Sequence, residues 1–384
     1  MSAQFPPLIA EHIVLQGRAR DLADQCLSHA DRADESDTVD TEILKLLRES
    51  GLAAVQVPAA YGGTFSNPDS LAVTVVREQL AASSSHLDSL FAMQGIGSYA
   101  ISVGGSEELK KYWLPRVADM DAIAALALTE PEVGSDLKAL TTSITIEGDE
   151  LVVNGSKSFI TNGGDADFYC VLGKEQIGDG LGYSLVLVPA DTTGVTTSRP
   201  HQIVAPHVLG DIVFDNVRVP SSHRIGQPGN GFALVLATLA TFRVSVAGAA
   251  IGTAQAALDD ALSHTTGREQ FGVPLARLGP VPQMLARSWT EIEMARSFTY
   301  QVAHAAAADP RGSLHLSSMA KIGATEVAGR VVDRSVQVMG RFGLVRGSRI
   351  ERLYRAARPM RVYEGATEVL LDALSKQLLK ERKQ

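Results

Sequence analysis

Two strings in this sequence carry residue types that could do chemistry. VYEGATE (362–368) sets the carboxylate of Glu364 directly before a glycine. A carboxylate can take a proton from carbon if it is held close and if the developing charge meets a donor. The plainer reading is a glutamate at a helix start, favourable with the helix dipole, and Glu368 fits that description equally well. ALTEPEVGSDLKA (127–139) leaves an apolar run and enters a Gly-Ser-Asp turn. Such a turn exposes N–H groups and a hydroxyl toward an anion or a flavin ring, although a bare GSD is more often a surface turn. Arg243 is the only charge between Phe232 and Leu258; a buried arginine needs a partner. The two cysteines, Cys26 and Cys170, show no CxxC or Cys/His spacing, so neither a metal site nor a disulfide framework is expected.

These residues are positioned by three segments: helical over 1–122, β over 123–229 and helical over 230–384. Expected helices cover Glu11 to Asp31, Thr41 to Ser50 (stopping at Gly51), a third from Asn67-Pro68-Asp69-Ser70, Leu87 to Val103 and Ser106 to Val117. SITIEGDELVV (143–153) reads as a hairpin, and further strands fall at Phe168 to Leu172, Tyr183 to Val188 and Asp211 to Phe214. Four long helices follow, at 231–266, 281–308, 313–339 and 363–381. The fold class is α+β: an N-terminal α-helical domain, a small antiparallel β domain and a C-terminal four-helix bundle.

Composition narrows the function. The net charge of -8 argues against gripping nucleic acid through its phosphates. The Phe232 to Leu258 stretch is long enough to cross a membrane, but Arg243 near its middle favours a helix buried in a bundle. Arginines at 346, 349, 352, 355, 358 and 361 recur every third residue, a period that drifts around a helix, so ion pairs are expected rather than one basic patch. The N-terminus lacks a basic region followed by an apolar one, and the cysteine usage fits a reducing, cytoplasmic setting.

Five strings in order resemble the acyl-CoA dehydrogenase family: ALTEPEVGSDLKA, NGSKSFITNG (154–163), REQFGVPL (268–275), SVQVMGRFG (335–343) and VYEGATE. The resemblance spans nearly the whole chain and implies bound FAD and desaturation of the Cα–Cβ bond of an acyl thioester. It implies that Leu128, Thr129, Gly134 and Ser135 line the flavin, with Ser135 also near the substrate. Phe159, Ile160 and Thr161 would lie against the ring. Arg268 and Phe271 would contact the diphosphate and adenine side, and Gln337, Val338 and Gly340 would reach the cofactor of a partner subunit. Thr367 and Glu368 would complete the pocket. Glu364 would be the base and the Gly365 N–H the thioester donor. Arg243 would lie near the thioester, with its alternative as a paired core charge left open. A homotetramer or homodimer, and an electron-transferring flavoprotein as partner, are implied in the same way.

The match breaks in places. Phe242 stands where a subset of the family carries its base, leaving Glu364 alone in that role. Ala240 replaces an aspartate that helps hold CoA, so a carrier-protein thioester is an alternative substrate. Phe159 stands for a common Trp, and Leu278-Gly279, Pro282, Arg341 and Ala366 depart from the usual cofactor contacts. A flavin-dependent oxidase or monooxygenase on the same fold is the other alternative, and a non-catalytic helical scaffold a third. Leu87 to Val103 and Leu234 to Ile251 are expected to line the acyl pocket. Bulky Phe91, Met93 and Leu236 slightly favour short or branched acyl groups.

Overall fold

The computed structural model describes residues 8–381. The expectation that no signal sequence opens the chain falls largely on residues 1–7, outside the described residues. In chain order the helices are α1 (Ala10–Ala33), α2 (Thr41–Ser50), α3 (Ser70–Ser83), α4 (Ser85–Gly104), α5 (Glu107–Ala118), α6 (Gly231–Gly267), α7 (Val281–Ala308), α8 (Leu314–Met339), α9 (Arg349–Ala357) and α10 (Thr367–Glu381). The strands are β1 (Ala124–Ala127), β2 (Ser143–Glu147), β3 (Glu150–Thr161), β4 (Phe168–Ile177), β5 (Gly180–Pro189), β6 (Val195–Ser198), β7 (Leu209–Pro220), β8 (Arg224–Ile225), β9 (Glu269–Gln270) and β10 (Val273–Pro274).

Local chemistry sets several boundaries. The Asp40 carboxylate accepts from the N–H groups of Glu42 and Ile43 at the start of α2, and Gly51 ends that helix at φ 62°. The Ser106 hydroxyl accepts from Leu109 N at the start of α5. Both use caps that meet otherwise orphaned N–H groups. α10 starts at Thr367, not at 363 as expected. Glu364 (φ 52°) and Gly365 (φ 106°) hold left-handed backbone, which cannot continue a right-handed helix. The short helix α9 was not anticipated.

The chain divides into two compact units. One comprises Glu35–Asp69 and Ser89–Phe242. Its sheet runs β6-β7-β3-β2-β4-β5-β8, with β1 beside β4. The antiparallel expectation needs correcting at two pairings, since β1 and β2 both run parallel to β4. The β2–β3 hairpin reverses the chain and the 162–167 turn reverses it again, so β4 returns in the direction of β2. Trp113, Leu114, Phe168, Leu172, Leu185 and Leu187 form part of this unit's core.

The other unit comprises the described residues up to Asp34, Ser70–Asp88 and Arg243 onward. Its core draws on α3, α6, α7 and α8, including Val75, Val244, Ile251, Leu258, Ile292 and Val331. α3 and α6 cross with almost no separation. A Cβ at Gly252 would stand 1.9 Å from Glu78 O, and one at Gly248 2.5 Å from Thr74 O. Only glycine permits that approach. The most apolar 18-residue stretch of α6 is 89% buried inside the protein, as a core helix should be. The arginine series resolves into separate contacts: Arg349 with Asp260, Arg352 with Asp31 and Asp34, Arg355 with Glu351, and Arg361 with Glu326.

Candidate active site

In the sheet-containing unit, β3 carries NGSKSFITNG. Its pairing with β7 slips between Lys157 and Ile160, and such a bulge re-aims side chains. Phe159 sits at the slip with φ 55° and is 50% exposed, while Lys157 and Ile160 on either side are buried. Asp211 fixes this conformation. Its Oδ1 accepts from Ser158 Oγ at 2.7 Å and Phe159 N at 3.1 Å, and lies 2.9 Å from His201 Nε2. Burial opposes ionisation of Asp211, but the bonds from Ser158, His201 and Phe159 prevail and hold its carboxyl below the usual range. The Phe159 ring stacks on His201 with centroids 3.8 Å apart.

The GSD string is locked to the same strand. Ser158 N donates to Thr129 O at 3.0 Å. The Lys157 ammonium donates to Leu128 O at 3.0 Å and to Glu130 at 2.9 Å. Glu130 also accepts from the N–H and hydroxyl of both Thr141 and Thr142, at 2.6 to 2.9 Å. Burial opposes ionisation of Glu130, yet the Thr142 and Thr141 bonds push its carboxyl down to about 2. Burial moves the Lys157 amine the other way, below its usual value, despite Glu130. With Glu130 and Lys157 turned inward, Gly134 and Ser135 stay exposed and Leu128, Thr129 and Thr161 half-buried. The Thr161 hydroxyl lies 3.3 Å from His207 Nε2. Ile160 as a whole is only 3% exposed and packs inward.

In the helical unit, Glu364 stands on the left-handed link before α10. Its Oε2 is inaccessible and has no hydrogen-bond partner. Burial raises the carboxyl above its usual value; Arg77, Arg243 and Lys321 pull it back, and Asp88 adds to the rise. Arg77 is itself buried and paired bidentately with Asp88 at 2.7 and 2.8 Å, and it donates to Ser245 Oγ at 3.0 Å. Arg243 is 8% exposed and is hydrogen-bonded to two neutral oxygens. Its Nε donates to the Glu364 carbonyl at 3.1 Å and its Nη1 to Ser318 Oγ at 3.1 Å. The Lys321 ammonium, fully buried on α8, donates to the Gly365 carbonyl at 2.7 Å. The Thr367 hydroxyl donates to Glu326 at 3.2 Å, while Glu368 is exposed.

A second cluster in this unit joins REQFGVPL to SVQVMGRFG. The Arg268 guanidinium lies 4.9 Å from the centre of the Phe342 ring, and Arg341 lies 5.1 Å from it. Gln337 and Gly340 are exposed, whereas Val338 packs in the core. Phe271, on the β9–β10 hairpin, is 94% exposed. The departures from the family pattern are also placed. Ala240 is 1% exposed, and the Phe242 ring meets Tyr99 edge-on at 5.5 Å.

Glu130, Lys157, Arg77, Asp88 and Lys321 were not singled out from the sequence. Their partners lie 11 to 168 residues away, beyond any local period. The one signal was a lysine inside the small and apolar run SSMAKIGATEVAG, where a charge needs a buried partner.

Comparison with known proteins identifies the family. The acyl-CoA dehydrogenase N-terminal domain matches residues 10–121, the middle domain 125–217 and the C-terminal domain 229–379. The chain is 37% identical over 328 residues to cyclohex-1-ene-1-carbonyl-CoA dehydrogenase of Geobacter metallireducens, covering 84% of this chain and 86% of that one. The structure of butyryl-CoA dehydrogenase from Megasphaera elsdenii superposes with a TM-score of 0.91 at 29% identity, covering 99% of this chain and all of the other. An acyl-CoA dehydrogenase from Bacillus anthracis, solved in complex with FAD, superposes with a TM-score of 0.89 at 25% identity, covering 99% of this chain and 68% of the other. The chain belongs to the acyl-CoA dehydrogenase family and is an FAD-dependent oxidoreductase acting on CH–CH groups.

Proposed function

We propose that this enzyme desaturates the Cα–Cβ bond of a short or branched acyl-CoA, with Glu364 removing the α-proton. The observation that carries the reading is the Glu364 carboxylate itself. One of its oxygens is buried without a hydrogen-bond partner, and burial raises its proton affinity. Such a carboxylate is a stronger base than a solvated one. The neighbouring cations keep it ionisable, and Gly365 offers an N–H to the thioester oxygen as charge builds there.

The residues present suit FAD. Thr129 and Ser135 on the GSD string, with Thr161 and the exposed Phe159 on β3, offer hydroxyls and an aromatic face that suit a planar polar ring. Arg268, Gln337 and Gly340 suit a diphosphate and its adenosine. When bound, FAD accepts the hydride from Cβ. In the sheet-containing unit, a Cβ at Gly95 would stand 2.4 Å from the Phe242 ring. The space between α4 and the start of α6 is thus filled there, which supports a short acyl group. The almost fully exposed Phe271 supports a homo-oligomer that covers it. We take the electron acceptor to be an electron-transferring flavoprotein.

The test is anaerobic titration of the purified yellow protein with acyl-CoA thioesters, and with the same acyl groups on a phosphopantetheinylated carrier protein. Bleaching of the flavin band by a short acyl-CoA, lost in Glu364→Gln, is the expected result. Bleaching by carrier-protein thioesters alone would move the substrate class. Bleaching that persists in Glu364→Gln would overturn the assignment of the base.

A further inference from the structure

Between α8 and α10 the chain makes an expensive choice. Two consecutive residues, Glu364 and Gly365, hold positive φ, a conformation that strains a non-glycine residue. Each carbonyl of this pair is gripped by a different buried cation. Arg243 on α6 donates to the Glu364 carbonyl at 3.1 Å, and Lys321 on α8 donates to the Gly365 carbonyl at 2.7 Å. Both cations lie beneath the link, Lys321 at 0% exposure. A buried ammonium is costly, and Lys321 forms no ion pair within 4 Å among the described residues; its short contact is a neutral carbonyl.

The geometry points to Lys321 as a positioning residue: with Arg243 it pins both carbonyls of the Glu364–Gly365 link and so aims the Gly365 N–H at the thioester oxygen. This rests on the reading of Glu364 and Gly365 given above. The argument is stereochemical. A trans peptide points its C=O and N–H in opposite directions. Holding the Glu364 carbonyl against Arg243 therefore turns the Gly365 N–H away from that arginine. Gly365 is the most freely rotating residue type, so one pinned carbonyl would leave its other side loose. Lys321 removes that freedom by fixing the following peptide. Arg243, as a charged donor on the Glu364 carbonyl, also polarises that peptide, which strengthens the Gly365 N–H as a donor to a developing oxyanion.

The groups facing Lys321 are Glu364 on the link, Arg243 on α6, Glu326 on its own helix and Glu368 on α10. Burial lowers the amine to about 8, with Arg243 in the same direction and the three glutamates opposing. Loss of this proton weakens the grip on Gly365 O and removes a cation from Glu364. The rate of flavin bleaching should therefore fall as pH rises through about 8.

The experiment uses the FAD-loaded enzyme with the acyl thioester that bleaches it best, across the pH range from 6 to 10. Lys321→Met should lower the saturating bleaching rate at least tenfold, with thioester affinity changed less than twofold. Lys321→Arg, which keeps a charge that does not titrate, should recover most of the rate and lose the alkaline fall. Thermal unfolding gives a second readout. With a folded value below the unfolded one, the unfolded chain binds more protons between the two. The wild type should therefore gain stability relative to Lys321→Met as pH rises from about 8 to 10.5. The proposal is overturned if Lys321→Met keeps the wild-type rate and alkaline fall while Glu364→Gln is inactive. It is also overturned if the loss of rate merely tracks lost flavin. If Glu364→Gln still bleaches, the base assignment fails instead.

Discussion

Replacing Glu130 with glutamine should destabilise the sheet-containing unit and loosen the surface that FAD would use. Glu130 is 3% exposed and Lys157 fully buried, and their charges meet at 2.9 Å. The substitution keeps the shape but leaves the buried ammonium with neutral acceptors only, an amide oxygen and the Leu128 carbonyl. Breaking a buried pair by removing one partner costs about 3–5 kcal/mol. At about 2–4 °C per kcal/mol for a body of 150–250 residues, the melting temperature should fall by roughly 6–20 °C. Flavin content, read from the ratio of flavin to protein absorbance, should fall with it, because Lys157 also anchors the carbonyl next to Thr129. The acid dependence gives a separate check. The Glu130 carboxyl is held at about 2 in the folded chain against an ordinary 4.5. Its stabilisation is complete above 4.5 and is lost as pH falls from there toward 2, so the gap between wild type and variant should close over that window. Replacing both partners, as in Glu130→Leu with Lys157→Met, should cost less than Glu130→Leu alone, because no unpaired ammonium remains. A Glu130→Gln protein that melts within about 1 °C of the wild type and holds its flavin would refute the reasoning.

Other consequences are more local. Gly252→Ala places a Cβ 1.9 Å from the Glu78 carbonyl, so α3 and α6 must separate; a loss of more than about 2 kcal/mol is expected by denaturant titration. Glu364→Gln should raise thermal stability near neutral pH. The carboxyl sits above its usual value when folded, so its ionised form opposes folding, and the gain should vanish as pH falls below that value. The pair of changes Arg77→Met and Asp88→Leu removes the strongest cation pulling Glu364 down together with the weaker anion pushing it up. The acid limb of flavin bleaching should then move to higher pH, and an unmoved limb would show that Arg77 does not act on the base.

Sequence and structure divide the work by range. Helix limits with a local cause were legible: Asp40 and Gly51 around α2, and Ser106 before α5. So was the order of the five strings, because each is a contiguous run whose residue types act together. The Glu364 and Gly365 pair was legible only through the family string, which marks it as the proposed base and donor. Its conformation was not, and α10 was drawn four residues too long, since helix-forming residues at 366–381 gave no sign of where the left-handed link ended. The parallel pairings of β4 were likewise hidden, because strand direction depends on how the chain returns and not on residue types along one strand. Burial decided the electrostatics. Nothing adjacent to Lys321, Arg77 or Glu130 in sequence marks a partner, yet packing brings each to a charge or carbonyl from another element. The contacts of Arg77 and Lys321 bear on the charge of Glu364 and on the Gly365 carbonyl, because Coulomb and hydrogen-bond energies depend on distance and exclusion of water, and only the folded chain sets both.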